Sequence, residues 1–511
     1  VVLRSEQELV RLSKLEELRK GTYPFPNNIK VTSTTLDLRN ADPISNPGEL
    51  NLSDPNLFEL AGRIVAMRFM GKASFINVMD AHGRMQSYVK LDQIGEDNFK
   101  NFSDFDIGDI VEIKGFPFVT KTGEKSLWAK SVRLLTKCLI PLPEKWHGLT
   151  DVEIRYRHRY VDLISNPDVQ EVFRKRALII REIRSYLDNL GFLEVETPVL
   201  QTVAGGADAR PFKTHHNTLD LDMKLRISLE LPLKKLIVGG LGRVYEIGRV
   251  FRNEGISTKH NPEFTMLEFY MSYATFDDLM NLTEDLYSKL VTKVCGSTKV
   301  IFGEKEIDFS PPWTRLSMLE SIHKIGGVGT EYDLNTLDGV QSAAAKYKIN
   351  LEEKNDWGRC LVALWDELVE HKIVNPTFIT HHPFSTSPLA RANQEDPKIT
   401  DRFELIICGM ESANAFSELN DPIDQRERFE AQAKRKAAGD EEAQEVEEDF
   451  LHALEYGMPP TAGQGIGIDR LTMLLTNSQS VRDVILFPTL KPRAEEVSAE
   501  ENPGENSTEE P

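Results

Sequence analysis

GRVYEIGRVFRNE (242–254), GISTKHNP (255–262) and EFTMLEFYMSY (263–273) together form the stretch that decides the fold. The outer runs are rich in β-branched and aromatic residues, and the link between them is polar, which reads as a long antiparallel hairpin. In the second strand, alternation puts Met266, Glu268 and Tyr270 on one face and Leu267, Phe269 and Met271 on the other. One face is core-like, and the other carries a carboxylate and a phenol. Arg252 stands just before the polar loop that holds His260 and Asn261. Its planar fork of donors suits phosphate or carboxylate. A lone arginine on a strand is usually a surface ion pair, but this loop is placed to reach over a nucleotide.

Working outward, residues 170–190 place Phe173, Ala177, Ile180, Ile183, Leu187 and Leu190 on one helical face, with Gly191 as the stop. FLEVETPVL (192–200) alternates like a strand that ends near Pro198. RFELIICGMESANAFSEL (402–419) reads as strand–turn–strand about Gly409, which brings Glu404 and Glu411 near each other. Two carboxylates beside phosphates suit Mg²⁺, a hard cation held by few protein oxygens, whereas without that context the favoured reading is two unrelated exposed acids. Asn414, Phe416 and Glu418 share a strand face, and Glu230 lies in LRISLELPLKK, a strand-to-helix turn. A pocket combining Glu230, Glu268 and Glu418 selects a cationic ligand, because a buried ammonium needs a counter-charge. GQGIGIDRLTMLL (463–475) is a glycine-rich strand end entering a helix with Arg470 at its start. Residues 318–375 read as a helical peripheral piece, and the charged segment to about 456 as a solvated helix. No covalent nucleophile or Walker motif stands out, so the reaction is one of positioning and charge stabilisation.

Residues 59–140 contain five short alternating runs separated by turn signals, which points to a small closed barrel of OB type. Such barrels stack bases on aromatics in a basic groove. Phe75 and Gln86 fall on neighbouring strands near Arg68, with core and base platform both open readings for Phe75. EQELVRLSKLEELR (6–19) is an amphipathic helix with some positive charge.

The chain has 511 residues and a net charge of −19, which excludes a uniformly basic nucleic-acid-binding coat. Its 4 cysteines are scattered without a C-x-x-C pair, which suits a reducing cytosol and gives no zinc signature. No apolar run is long enough to span a membrane. The start, Val-Val rather than Met, lacks a signal-peptide core, so a processed or trimmed beginning is expected. The expected divisions are a helical extension (1–58), the barrel (59–140), a linker (141–160), a catalytic domain (161–493) and a disordered acidic tail (494–511).

With these motifs in order, the chain resembles a class II lysyl-tRNA synthetase of bacterial type over roughly residues 1–493. GFLEVETPVL, VFRNEGISTKHNPEFTMLEFY and GIGIDR look like the three family motifs, and MGKASF (70–75), TKTGE (120–124), HHNTLDLDM (215–223) and FSELNDP (416–422) add to the match. The resemblance implies an α+β protein: an N-terminal OB-fold barrel followed by a class II catalytic domain, an antiparallel sheet flanked by helices. It implies a cytoplasmic homodimer that activates L-lysine with ATP and Mg²⁺, then charges tRNA(Lys). By motif, Arg252 and Arg470 would hold the α- and γ-phosphates. Glu254, His260, Asn261 and Phe264 would hold the adenosine or phosphates, with Phe264 stacking on adenine. Glu404 and Glu411 would bind Mg²⁺. Gly206, Glu230, Glu268, Tyr270, Asn414, Phe416 and Glu418 would line the lysine site. Phe75 and Gln86, helped by Arg68, would read the anticodon. A relative that lysylates proteins would lack the barrel, and a relative specific for aspartate would need a cation where these acids stand. Pro232, Gly242 and Ser412 depart from the usual pattern.

Overall fold

Five runs of alternating residues early in the chain close on themselves. In the computed structural model, which describes residues 4–21, 24–143, 149, 151–440 and 442–492, the chain forms two compact units, residues 1–150 and 151–511. The first unit holds strands β1 (Phe58–Met70), β2 (Ala73–Asp80), β3 (Gly83–Lys90), β4 (Ile110–Val119) and β5 (Lys125–Thr136). They form a closed barrel in the order β1-β2-β3-β5-β4. Ile76, Val78, Met85, Val89, Val111, Ile113 and Leu127 fill it, each from the inward half of its alternation. Gly115 is required at a register shift in β4, because a Cβ there would fall 2.1 Å from the Trp128 carbonyl oxygen.

The helical extension is not a separate body. Helix Glu6–Gly21 is tied to the barrel unit by Lys14 on Asp106 and by Arg11 on the Cys138 carbonyl. Helix Thr35–Asn40 seats Leu38 in the barrel core and donates from Thr35 to Asp80.

The second unit is built on one large sheet. Its strands are β6 (Leu193–Glu194), β10 (Arg243–Phe251), β11 (Glu263–Ser272), β14 (Thr314–Ser317), β15 (Thr377–Thr380), β16 (Arg402–Ile407), β17 (Met410–Ser417) and β18 (Thr461–Gly467). The short strands β7 (Leu200–Gln201), β8 (Lys213–His216) and β9 (Leu221–Leu225) make a small sheet, and β12 (Lys299–Phe302) pairs with β13 (Lys305–Asp308). The large sheet runs β14-β15-β16-β17-β18-β11-β10-β6. Its six central strands are antiparallel, but β14 and β6 join parallel, so the sheet is mixed at both edges rather than purely antiparallel.

One face of this sheet is covered by helices Pro167–Asn189, Phe276–Cys295 and Ile468–Thr476. Ile179, Ile183, Leu187, Leu267, Phe269, Leu286, Ile466 and Leu471 share that core. The first helix stops at Gly191, with φ at +77°. Its fully buried stripe runs through Ile179, Ile183 and Leu187, with Ile180 half-buried against the same core, while Leu190 is exposed. The opposite face is left for a cavity. Residues 318–375 form their own helical core around Ile322, Val340, Leu361 and Trp365.

Three other expectations are corrected. FLEVETPVL is not a strand throughout: Val195 still donates to Tyr245, but Thr197 then donates through N–H and hydroxyl to Glu246, and Pro198 has no N–H to continue the ladder. The expected linker is partly helical, with helices at Val152–Arg157 and Arg159–Ser165, while 144–148 and 150 lie outside the described residues, as does the acidic tail. The charged helix ends at Ala437, where Gly439 takes φ +109°, and a second helix starts only at Glu448.

The unusual residues fit where they stand. Pro232 lies in the first turn of helix Glu230–Val238, where a missing N–H costs little. Gly242 has φ +66°. Ser412, at a bulge in β17, bonds the Tyr287 hydroxyl at 2.9 Å.

Candidate active site

The strand alternation of β11 delivers Met266, Glu268 and Tyr270 to a cavity of about 450 Å³ on the open face of the sheet. At one end the chemistry is acidic. Glu268 is buried, and its Oε1 accepts from the Ser228 hydroxyl and the Leu229 N–H, each at 3.0 Å. The Tyr270 hydroxyl donates to its Oε2 at 3.3 Å. Burial first, then the field of Glu230, pushes the Glu268 carboxyl up to about 7. Tyr270, buried beside the same acids, is held far above its ordinary range and remains a phenol donor.

Glu230 opens helix Glu230–Val238 beside Gly206, whose φ is +90° and where a Cβ would fall 2.9 Å from the Ser228 hydroxyl. Asn414 and Phe416 reach the cavity from β17. Glu418 continues their face but is not part of the cavity wall. It lies buried beneath, paired with Lys234. The floor is kept open by glycine: a Cβ at Gly463 would stand 2.2 Å from both Glu418 Oε1 and the Tyr270 ring.

The other end is built from the β10–β11 loop and the start of helix Ile468–Thr476. The Arg252 N–H donates to Pro262 and closes the loop, and its guanidinium lies 5.2 Å from the centre of the Phe264 ring. Glu254, His260 and Asn261 line the same wall. His260 Nδ1 pairs with the Ser257 hydroxyl at 2.9 Å, and burial and Arg470 lower its pKa, so its ring is neutral at pH 7. Asn261 Oδ1 is buried without a partner, an acceptor free for a ligand. Arg470 donates to the Glu411 carbonyl at 2.9 Å and lies 3.3 Å from its carboxylate. Asp469, before it, is clamped by Arg176 at 2.5 Å and the Thr265 N–H at 2.7 Å.

Glu404 and Glu411 both face the cavity from the β16–β17 hairpin. Glu404 Oε1 accepts from Arg402 at 2.6 Å. Among the described residues no group of three or more His, Cys, Asp or Glu forms a metal cluster. Two carboxylates fit a hard cation whose remaining ligands are phosphate oxygens and water.

On the barrel, Ser74, Ile76 and Val78 point inward, which places Phe75 on the outer face. It pairs across β1 with exposed Arg68, and its ring lies 4.8 Å from Tyr88, which in turn lies 5.0 Å from Trp128. Gln86, also on the outer face, donates to Glu124 and accepts from Ser126, both at 2.9 Å. Phe75 is therefore part of a surface aromatic row rather than core.

The sequence reading missed Lys234, Arg402, Ser228 and Gln444. Lys234 and Arg402 carried a signal, at i+4 from Glu230 on a helix and i−2 from Glu404 on a strand. Gln444, which accepts from the Gly206 N–H at 3.0 Å, sits in the loop that replaced the expected helix, and nothing in its spacing marks it.

An open-faced antiparallel sheet core, with arginines at one end of its cavity, and a separate OB barrel define a class II aminoacyl-tRNA synthetase. The family "tRNA synthetases class II (D, K and N)" matches residues 151–491, and "OB-fold nucleic acid binding domain" matches 58–135. The lysine–tRNA ligase of Moorella thermoacetica is 51% identical over 496 residues, covering 96% of this chain and all of that protein. That of Pelotomaculum thermopropionicum is 51% identical, covering 95% and 94%. That of Bacillus cereus is 49% identical, covering 95% and 97%. The chain belongs to the lysine–tRNA ligase family, whose members are ATP-dependent enzymes of tRNA aminoacylation.

Proposed function

We propose that this cavity joins L-lysine to ATP as lysyl-adenylate and passes the lysyl group to the 3′ end of tRNA(Lys). One observation carries the reading: Glu230 and Glu268 flank Tyr270 at one end of the cavity, with Glu418 buried beneath them, while Arg252 and Arg470 stand at the other. Glu230 and Glu268 take the amino groups of lysine, Glu418 adds negative charge from beneath, and Gly206, Asn414 and Phe416 shape the site. Phe264 stacks on adenine, and Glu254, His260 and Asn261 hold the adenosine or phosphates. The lysine carboxylate attacks the α-phosphorus, and the bond to the bridging oxygen breaks with release of pyrophosphate. Arg252 meets the charge growing at the α-phosphate, and Arg470 holds the γ-phosphate. A terminal ribose hydroxyl of the tRNA then attacks the activated carbonyl, and AMP leaves.

Glu404 and Glu411 would hold Mg²⁺, which when bound neutralises phosphate charge. Arg68, Phe75 and Gln86 would meet the anticodon, with Tyr88 and Trp128 extending the stacking row. A homodimer belongs to the same proposal. It is supported by exposed Leu193, Val199 and Leu200 around Pro198, at 50%, 38% and 45% exposure. So does a cytoplasmic site of action; no helix among the described residues is long and apolar enough to cross a membrane.

The test is ATP–pyrophosphate exchange with each of the twenty amino acids, followed by charging of tRNA(Lys). Exchange with lysine alone and subsequent lysyl transfer are expected. Exchange driven equally by an uncharged amino acid would refute the reading.

A further inference from the structure

Lys234 is fully buried, which is unusual for an ammonium. It stands one helical turn after Glu230, with Nζ 2.5 Å from Glu230 Oε1 and against Glu418 Oε2. The rings of Phe416 and Phe450 lie 5.4 and 5.8 Å from it. Packing alone does not call for this residue: leucine would fill a helix face set against rings without the penalty of burying a charge. What the cation does is electrostatic. Glu230, Glu268 and Glu418 crowd one small volume around Tyr270, and like charges drive carboxyls toward the neutral form. A neutral carboxyl is a donor and a poor acceptor for an ammonium. Meanwhile Glu418 Oε1 is buried without a hydrogen-bond partner, above the space that Gly463 leaves open.

We propose that Lys234 is a positioning residue for amino-acid recognition. Its ammonium is the counter-charge that anchors the Glu230 and Glu418 carboxyl groups together, so that Glu230 is aimed at the amino groups of the incoming lysine and Glu418 adds its charge from beneath the cavity. The inference rests on the reading of Glu230, Glu268, Tyr270 and Glu418 as the lysine site. Lys234 then acts as a resident counter-ion: it opposes the drive of burial toward a neutral Glu418 carboxyl, and as one cation among three acids it leaves room for a cationic side chain. The titratable groups facing it and its partners are Glu230 on its own helix, Glu268 and Tyr270 on β11, and Glu418 just beyond β17.

The test replaces the cation by a near-isosteric neutral group, K234Q, and measures lysine-dependent ATP–pyrophosphate exchange against pH. The KM for lysine is expected to rise about tenfold or more near neutral pH, with the KM for ATP changed by less than about twofold. The acid limb of kcat/KM for lysine should move up by roughly one pH unit, so that alkaline buffer recovers part of the loss. Equal losses for both substrates, or an unmoved acid limb, would reduce Lys234 to packing. E418Q separates the two levels. If it leaves the KM for lysine unchanged, the lysine-site reading itself fails. If it raises that KM while K234Q does not, only the role of Lys234 fails. Should K234Q not fold, the unmodified enzyme is labelled with ¹⁵N in its lysine side chains. A slowly exchanging ammonium signal must then shift on adding lysine but not on adding ATP, and the absence of that response overturns the proposal.

Discussion

Glu268→Gln is expected to make the ligand-free enzyme more stable while nearly abolishing its use of lysine. The ordinary carboxyl value of 4.5 is raised to about 7 by burial and by Glu230. At about 1.4 kcal/mol per pH unit, holding this group ionised in the fold costs about 3 kcal/mol. The sign follows from proton binding. Between 4.5 and about 7 the folded chain keeps a proton that the unfolded chain has released, so this contribution falls as pH rises. Below that window the group costs nothing, and above it the full cost is present. Glutamine escapes it without losing contacts: its oxygen still accepts from Ser228 and Leu229, and its amide donates to the Tyr270 oxygen. Urea unfolding of both proteins is to be compared near pH 5 and near pH 8. The variant's advantage should be small at the lower pH and reach about 3 kcal/mol at the higher one. Pyrophosphate exchange with lysine should collapse in the same variant. A gain independent of pH, or a loss of stability at pH 8, would refute the view that this carboxylate is held charged against its surroundings.

Arg252→Ala should lower exchange by about 10²–10³-fold in kcat while leaving the far-UV spectrum unchanged, since the lost group acts on developing phosphate charge. Gly463→Ala should raise the KM for lysine by about tenfold or more, because its Cβ would stand 2.2 Å from Glu418 and from Tyr270; the KM for ATP should hold. Phe75→Ala should weaken tRNA binding by ~1–3 kcal/mol in filter-binding titrations and spare exchange; loss of both would return Phe75 to a structural role. Leu200→Lys places a charge on the exposed apolar surface beside Pro198 and should shift sedimentation from dimer toward monomer.

The parts of the fold written in local periodicity were legible. The β10–β11 hairpin, the turn at Gly409 and the five barrel strands all follow from alternation bounded by turn residues. The face assignment of Met266, Glu268 and Tyr270 needed only the period of two. What was not legible depends on contacts distant in sequence. FLEVETPVL alternates, yet Glu246, some fifty residues on, draws Thr197 out of the ladder. The segment after Ala437 has helical composition, but it is held as a loop where Gln444 meets Gly206, 238 residues away. Lys234 is helical by pattern and charged by type, so a solvated position was its ordinary reading; only the arrival of Glu418 from β17 makes its burial tolerable.

The charge layout of the cavity also explains why so many of its groups are tied down. Acids and guanidinium groups within one 450 Å³ space would neutralise one another if their side chains were free to meet. Here the pairings stay local to each end: Glu268 accepts from Ser228 and Leu229, Glu230 and the underlying Glu418 pair with Lys234, Glu404 pairs with Arg402, and Arg470 pairs with Glu411. Arg252 stands at the far end from the acids, within the fields of Glu254, Glu411 and Arg470, and still feels Glu268. On the proposed reading, a substrate whose ammonium is drawn to the acids would have its carboxylate directed toward Arg252, the residue assigned to the α-phosphate. The reacting atoms would thereby be brought together by groups that need not reorganise as charge moves, which is the condition under which fixed charges lower a barrier.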